Sequence, residues 1–470
     1  MRIAFATVGC RLNQFETDAL RGKAQAAAYD LVSFETEADV YVINTCTITA
    51  EADADSRQLA RRAVRRNPAA LVVVTGCYAQ AAPEAVAAIP GVDLVVGTQE
   101  KAELLVAIEQ ARKNGTAHVR VGAIGSGSRM DADAYGPVID SERTRAFLKV
   151  QDGCNYACSF CIVPAVRGAN RSQPPARVVE ALQRLHAAGF AEVVLTGIHL
   201  GTYGRDLTPR TTLAALCDSI AELPEASRVR LSSLDPHEVT TDLVRLLAES
   251  PRFCRHLHLP LQSGDEGVLR RMRRGHTAGQ FRELVEQLTT VVPGIAVTGD
   301  VIVGFPGEDA EAFRKTSELL ESLPMAGLHV FSYSRRPGTD AASYVDQVPR
   351  GVKVERSRML RELAGRKDRA FRQRAVGGVL DVVTLRRDGA PGTLEGLSDN
   401  YIRVWFPGDP ALQGSVVRVR VERVTTRGVF GSVVSPRSST PCPSGRDEFS
   451  SANSGPHTLR DSVDSPKTVQ

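Results

Sequence analysis

The chain has 470 residues, 43% hydrophobic, 24% charged and 5% aromatic, with a formal net charge of +4. This length implies two to four domains and a large buried core. No apolar run approaches the ~20 residues of a spanning helix, and the start MRIAFATVGC is too short and strand-like for a signal peptide. A cytoplasmic protein with no membrane contact is therefore expected, leaning mildly toward polyanionic partners.

Residues 1–115 alternate strand and helix signals. MRIAFATV, DVYVINT, LVVVTG and VDLVVG are short β-branched runs, with helical stretches near Gln14–Gln25, Ala50–Arg66 and Gln99–Arg112. This βαβ pattern predicts an α/β domain with a parallel sheet. Residues 116–142 read as a linker; the glycines of GAIGSGS lack the spacing and following helix of a phosphate loop. Residues 143–370 alternate again: RAFLKV, EVVLTG, RVRLSSL, HLHLPL, AVTGDVIVGF and GLHVFSYS are separated by helical segments, and a charged helix near Gly351–Arg374 follows. Six such strands predict a partial, open (β/α) barrel. In residues 375–434, VLDVVTLRR, GTLEGLSDNYIRVWFP, GSVVRVRVERVT and GVFGSVV alternate apolar and polar residues, as in a small antiparallel β-barrel. Residues 435–470 are rich in serine and proline and are expected to be disordered.

The nine cysteines separate by context: Cys10, Cys46, Cys77, Cys154, Cys158, Cys161, Cys217, Cys254 and Cys442. An odd number in a reducing compartment argues against structural disulfides. Cys217 and Cys254 read as packing residues, and Cys442 lies in the tail. Cys154, Cys158 and Cys161 have C-x3-C-x2-C spacing directly after the strand FLKVQDG, at the rim where barrel enzymes keep their chemistry. Three such thiolates can hold a 4Fe–4S cluster and leave one iron open. Zinc is the alternative, but it takes four ligands, usually from paired knuckles, and no second knuckle or His-x3-His is nearby. Cys10, Cys46 and Cys77 each follow a predicted strand. In a parallel sheet such ends share one edge, so the three are expected to converge and hold a second cluster; the alternative, three independent buried cysteines, gives no reason for all three to sit at strand ends.

The GCNYACSFC segment, with Phe160 before its last cysteine, resembles the radical S-adenosylmethionine motif. The resemblance implies that the open iron binds the amino and carboxylate groups of S-adenosylmethionine, whose cleavage yields a 5′-deoxyadenosyl radical. It further implies contacts to this cofactor from Thr196 and Gly197, from Ser232, and from Gly299–Glu308, which includes Gly304. Two three-cysteine sets in one chain resemble the methylthiotransferases over about residues 1–434. That family uses two S-adenosylmethionine molecules per turnover, an electron donor protein and a sulfur source. The third unit resembles a TRAM domain, an RNA-binding barrel in which Arg386, Arg387, Arg403, Arg418, Arg420, Arg423 and Arg427 would track phosphates. Arg57, Arg61, Arg62, Arg65 and Arg66 on one helix, and Arg270, Arg271, Arg273 and Arg274, are either phosphate contacts or solvated faces.

Three branches modify isopentenyladenosine in tRNA, threonylcarbamoyladenosine in tRNA, or a ribosomal-protein aspartate. GCRLNQFET, NTCTITAEADADSRQ, CSFCIVPAVRGANRS and VLTGIHLGTYG resemble the threonylcarbamoyladenosine branch. The substrate implied is position 37 of the anticodon loop, methylthiolated at C2. Gly275–His276–Thr277 departs from the family, which often has Tyr before the Thr. Tyr78, Tyr156, Phe160 and Tyr203 are the aromatics able to stack a splayed base, although core packing suits each. The competing class is a non-catalytic iron–sulfur RNA-binding protein.

Overall fold

The computed structural model describes residues 1–125, 143–386 and 392–436. The serines and last glycine of GAIGSGS, Arg387 and Cys442 lie outside the described residues.

The amino-terminal sheet is six-stranded and parallel, in the order β2-β1-β3-β4-β5-β6. Its strands are β1 Arg2–Thr7, β2 Asp30–Val32, β3 Val40–Thr45, β4 Leu71–Gly76, β5 Leu94–Val96 and β6 His118–Arg120. All six residues of β3 are buried, as expected of a central strand covered on both faces. Helix α1 spans Arg11–Ala26 and helix α2 Ala50–Arg66. The Thr49 side chain caps α2 by accepting from the Ala52 amide, Glu51 and Asp53 occupy its first turn, and Arg65 and Arg66 its last. Two short edge strands depart from the sequence reading. β2 was not expected, and β6 falls inside the stretch read as linker.

The central unit is an arc of parallel strands alternating with helices. β7 Arg145–Lys149, β10 Glu192–Thr196 and β11 Arg228–Leu231 form one half, and β12 His256–His258, β13 Ala296–Val303 and β14 Gly327–Ser332 the other. A bridge between Val229 and Phe253 joins the halves. Two-residue strands β8 Gln151–Asp152 and β9 Arg171–Ser172 pair beside the rim. The apolar core lies between strands and helices, with Leu182, Leu216, Leu257, Phe281 and Val301 essentially inaccessible. Residues of β13 alternate strictly from Val297 to Val303, so Thr298, Asp300 and Ile302 turn to the other, inner face.

The third unit is a closed five-stranded barrel, β15-β16-β17-β19-β18. Its strands are β15 Val379–Thr384, β16 Thr393–Ser398, β17 Arg403–Pro407, β18 Val416–Val424 and β19 Val429–Pro436. It is antiparallel except for β17 and β19, which pair in parallel at Val404–Val429 and Trp405–Phe430. That pair closes the barrel and removes its free edges. The helix Arg350–Arg374 ties the two barrels, burying Leu360 and Leu363 in the central core and Phe371 in the small one.

Charged contacts fix the units together. Glu16 of α1 is 1% exposed and meets Lys101 of its own domain at 2.5 Å. From the central unit it meets Arg167 at 2.8 Å and Lys149 at 3.3 Å. Arg336, just past β14, pairs with Asp53 of α2 at 2.5 Å. The amino-terminal domain thus contacts both ends of the strand arc, β7 and the segment after β14. Below, Arg228 and Arg230 donate to the Asp381, Leu397, Ser398 and Asp399 carbonyls of the small barrel while both hold Glu192.

Candidate active site

The first cysteine set is built by strand ends. Cys10 follows β1 at the N-cap of α1, Cys46 follows β3, and Cys77 follows β4 as the first residue of the helix Cys77–Ala81. Two glycines let these ends approach. Gly9 has φ +104°, and a Cβ there would lie 2.5 Å from Cys46 Cβ; Gly76 has φ +97°, and its Cβ would lie 2.5 Å from the Thr45 carbonyl oxygen. Both positions combine a left-handed backbone with a clash that only glycine avoids. Burial raises the pKa of Cys10 and raises that of Cys46 far above its ordinary value. Cys77 and Cys10 then add to the shift at Cys46, and Arg167 opposes it. The three thiols therefore sit within electrostatic reach of one another.

The second set lies on the loop after β8. The Cys154 amide donates to Gly168 O at 2.9 Å, and the Cys161 amide to Cys158 O at 3.0 Å, which closes a tight turn. Burial pushes the Cys161 thiol up to about 12, aided by Cys158 and Cys154. Burial also raises Cys158, against the pull of Arg274, whose Nη1 lies 3.5 Å from the Cys158 sulfur. Cys154 Sγ is 3.2 Å from His199 Nδ1. Burial disfavours the charge on His199, but Cys154 and Glu238 outweigh it and raise the imidazole to about 9.

The two sets are neighbours. Helix Val163–Arg167 begins two residues after Cys161 and packs against the helix that Cys77 starts. Its last residue, Arg167, is 1% exposed and bonds Glu16, Asn13 and Asp152. Each set thus has one buried guanidinium beside it, Arg167 for the first and Arg274 for the second, and each leaves its Nε without a hydrogen-bond partner. Three convergent thiols next to a buried cation with spare donor capacity suit an anionic thiolate-bound cluster.

The expected cofactor contacts line the same rim. Thr196 ends β10, and its carbonyl accepts from Val150 N at 3.0 Å. A Cβ at Gly197 would lie 2.6 Å from Gln151 Oε1. Ser232, one residue past β11, keeps a buried hydroxyl with no partner. Gly304 follows β13, and its amide is already taken by Glu308 Oε1 at 2.9 Å. Of the aromatics, Tyr156 lies tilted against His199 with centroids 4.4 Å apart, at the second set. Phe160 meets Phe305 edge-on at 6.4 Å. Tyr78 donates nothing to the rim and instead takes a bond from Arg57 at 3.0 Å. Tyr203 is 1% exposed and donates to Gln173 O, a core role. His276 is buried between Asp235 and the Leu261 carbonyl, which settles it as a clamp on the Asp235–Arg274 pair.

The basic groups separate. Arg62 and Arg66 pair with Glu35, Arg271 with Asp346 and Arg273 with Asp340. Arg61 and Arg65 remain exposed. Arg403 pairs with Glu395 and Arg423 lies over the Phe430 ring.

Sequence reasoning missed the inner wall of the barrel. His256 stacks on Tyr401, which the β16–β17 turn inserts from the small barrel, at 4.4 Å. Thr298 Oγ1 lies 3.3 Å from His256 Nε2 and 3.0 Å from His258 Nδ1. His258 Nε2 meets Asp300 at 3.0 Å, and His329 completes the group. The alternation of HLHLPL and AVTGDVIV places these residues on one face, but no local pattern indicates that Tyr401 would come to meet them.

An open parallel barrel with a C-x3-C-x2-C loop at its carboxyl rim defines a radical S-adenosylmethionine protein, and residues 148–320 match the Radical SAM superfamily. Residues 2–97 match a second family, described as Uncharacterized protein family UPF0004. The chain is 40% identical over 427 residues to the threonylcarbamoyladenosine tRNA methylthiotransferase MtaB of Bacillus subtilis, across 89% of this chain and 93% of that one. It is 39% identical to the protein of the same name from Aquifex aeolicus, across 90% of this chain and 100% of that one. The chain belongs to the radical S-adenosylmethionine methylthiotransferase family. Among solved structures, it resembles in fold a radical S-adenosylmethionine methyltransferase, TsrM, from Kitasatospora setae. That match has a TM-score of 0.52 at 17% identity and covers 73% of this chain and 77% of that one. Among the described residues, no helix is long and apolar enough to cross a membrane.

Proposed function

We propose that this protein is a tRNA methylthiotransferase that places a methylthio group on C2 of threonylcarbamoyladenosine at anticodon-loop position 37. The observation that carries the reading is the pairing of two three-cysteine sets across the helices Cys77–Ala81 and Val163–Arg167. Cys154, Cys158 and Cys161 would hold one 4Fe–4S cluster and Cys10, Cys46 and Cys77 the other, each leaving one iron open. When bound, these clusters and two molecules of S-adenosylmethionine per turnover supply the electron, the radical and the methylated sulfur. Thr196, Gly197, Ser232 and Gly304 line the rim where that cofactor would lie, and the free Ser232 hydroxyl suits a sugar oxygen.

The rest is work for the chain itself. Glu16, Arg167 and Arg336 seat the amino-terminal domain on the barrel beside the two cysteine sets. Arg274 and Arg167 hold positive charge beside the thiolates. The target base leaves its stack to enter, as loop bases can, and Tyr156 offers a ring at the rim. Exposed Arg61 and Arg65, with Arg418 and Arg420 on alternate outward positions of β18, supply phosphate contacts. The same reading takes residues 1–115, 143–370 and 375–434 as the working units. It also requires an electron donor protein and a sulfur source, in the cytoplasm.

The test is a pair of variants in the reconstituted protein. Cys158→Ala should abolish both 5′-deoxyadenosine and methylthio-nucleoside. Cys46→Ala should keep 5′-deoxyadenosine and lose methylthiolation. Methylthiolation by Cys46→Ala would sink the role of the first set, and added S-adenosylmethionine that leaves the reduced-cluster EPR signal unchanged would favour a binding protein.

A further inference from the structure

We propose that Arg11, steadied by Tyr401, is the anchor for the carboxylate of the substrate's N6 substituent and so decides which modified adenosine the enzyme accepts. The inference rests on the function proposed above and deepens it.

Three features of the structure converge on Arg11. It is the residue next to Cys10, so its backbone is fixed within about 3.8 Å of a residue proposed to hold the sulfur-bearing cluster. Its side chain runs away from α1 to the barrel floor, where Nη2 donates to the Tyr401 hydroxyl at 2.9 Å. That is its one hydrogen bond among the described residues, and no carboxylate among them pairs with it. A guanidinium carries five N–H donors in a planar fork, so most of its capacity is unspent, and the residue is only half-buried.

The surroundings are short of negative charge. Arg145, Arg228 and Arg230 share the single carboxylate of Glu192. Arg230 lies 5.0 Å from the Tyr401 ring centre and Arg11 lies 5.9 Å from it. Burial works against a phenolate at Tyr401, yet Arg11, Arg145 and Arg230 lower its pKa below the ordinary value. Asp300, an acid of the inner wall, faces His258 Nε2 at 3.0 Å. An anion entering the barrel therefore finds unspent guanidinium donors at Arg11, beside Tyr401.

Substrate chemistry fits that place. The threonylcarbamoyl group ends in a carboxylate and a hydroxyl, and its urea N–H can bond the adenine N1. That closure swings the substituent to the N1–C2 edge, the edge to be methylthiolated, so the group that meets it must lie close to the sulfur donor. A carboxylate matches the guanidinium fork in a bidentate pair. An isoprenoid substituent offers no acceptor and would strip water from Arg11 without replacing it, which discriminates by penalty as well as by attraction.

The experiment uses the reconstituted full-length protein and two anticodon stem-loops, one with threonylcarbamoyladenosine and one with its carboxamide analogue, which keeps shape and loses charge. Wild-type protein should show kcat/KM lower by roughly 10- to 100-fold on the carboxamide, mostly through KM. Arg11→Gln should lose a similar factor on the carboxylate substrate and no longer distinguish the two RNAs. Arg11→Lys should recover part of the preference, since it restores charge without the fork. Wild-type protein that methylthiolates both RNAs equally overturns the anchor while leaving the function intact, and it does so whether or not the variants fold. An Arg11→Gln protein with full iron content and the wild-type preference also overturns it. Wild-type protein that modifies neither RNA overturns the functional reading and the anchor with it.

Discussion

Glu16→Gln isolates what holds the amino-terminal domain against the barrel. The Glu16 carboxylate is 1% exposed and accepts from Lys101 at 2.5 Å, Arg167 at 2.8 Å and Lys149 at 3.3 Å. Gln keeps the shape but removes the charge, while Asp152 still pairs with Lys149 and Arg167. Removing one partner of a buried ion pair typically costs about 3–5 kcal/mol, because the charge left behind stays desolvated. The urea midpoint of the transition that separates the two domains should fall accordingly. The pH dependence has a definite sign. Burial alone would raise the Glu16 and Asp152 carboxyls, but the surrounding cations win and hold both below their usual range. Their contribution is present above pH ~4–4.5, the unfolded carboxyl range, and is lost as pH falls through the lower native values. Glu16→Gln should flatten that acid limb. A variant with the wild-type midpoint and the wild-type acid limb would refute the reasoning.

Other sites give sharper functional readouts. Arg274→Met removes a cation 3.5 Å from the Cys158 sulfur and should shift the midpoint potential of the barrel cluster negative by roughly 100 mV, from the Coulomb interaction at intermediate dielectric; an unmoved potential in redox titration would count against it. Arg230→Met removes two donors to the small barrel, at the Ser398 and Asp399 carbonyls, together with a partner of Glu192. It should lower the first thermal transition by the equivalent of ~2–4 kcal/mol, and scanning calorimetry checks this. The Arg61→Ala, Arg65→Ala double variant should reduce the slope of log Kd against log salt for tRNA by up to about 1.8; an unchanged slope would place the RNA elsewhere.

Much of this architecture can be read locally. The strand ends at Cys10, Cys46 and Cys77 follow β-branched runs, and parallel topology then forces them to one edge. The C-x3-C-x2-C spacing needs no fold at all. What escapes is short or distant. β2 and β6 have three residues each and lie at the edge of a sheet, where pairing rather than composition defines them. GTLEGLSDNYIRVWFP reads as one run but divides into β16 and β17 at a turn where Tyr401 takes φ +67°. The bonds Arg167–Glu16 and Arg11–Tyr401 span 151 and 390 positions. A buried arginine looks like any other basic residue in sequence, because its partner is set by domain docking and not by periodicity.

The most direct test of the account is nucleoside mass spectrometry on tRNA bearing threonylcarbamoyladenosine, after incubation with the reconstituted protein, S-adenosylmethionine and a reductant. Wild-type protein should convert the nucleoside to its 2-methylthio form, while Cys46→Ala forms 5′-deoxyadenosine and leaves the nucleoside unchanged. Product from Cys46→Ala, or no product from wild-type protein that cleaves S-adenosylmethionine, would contradict it.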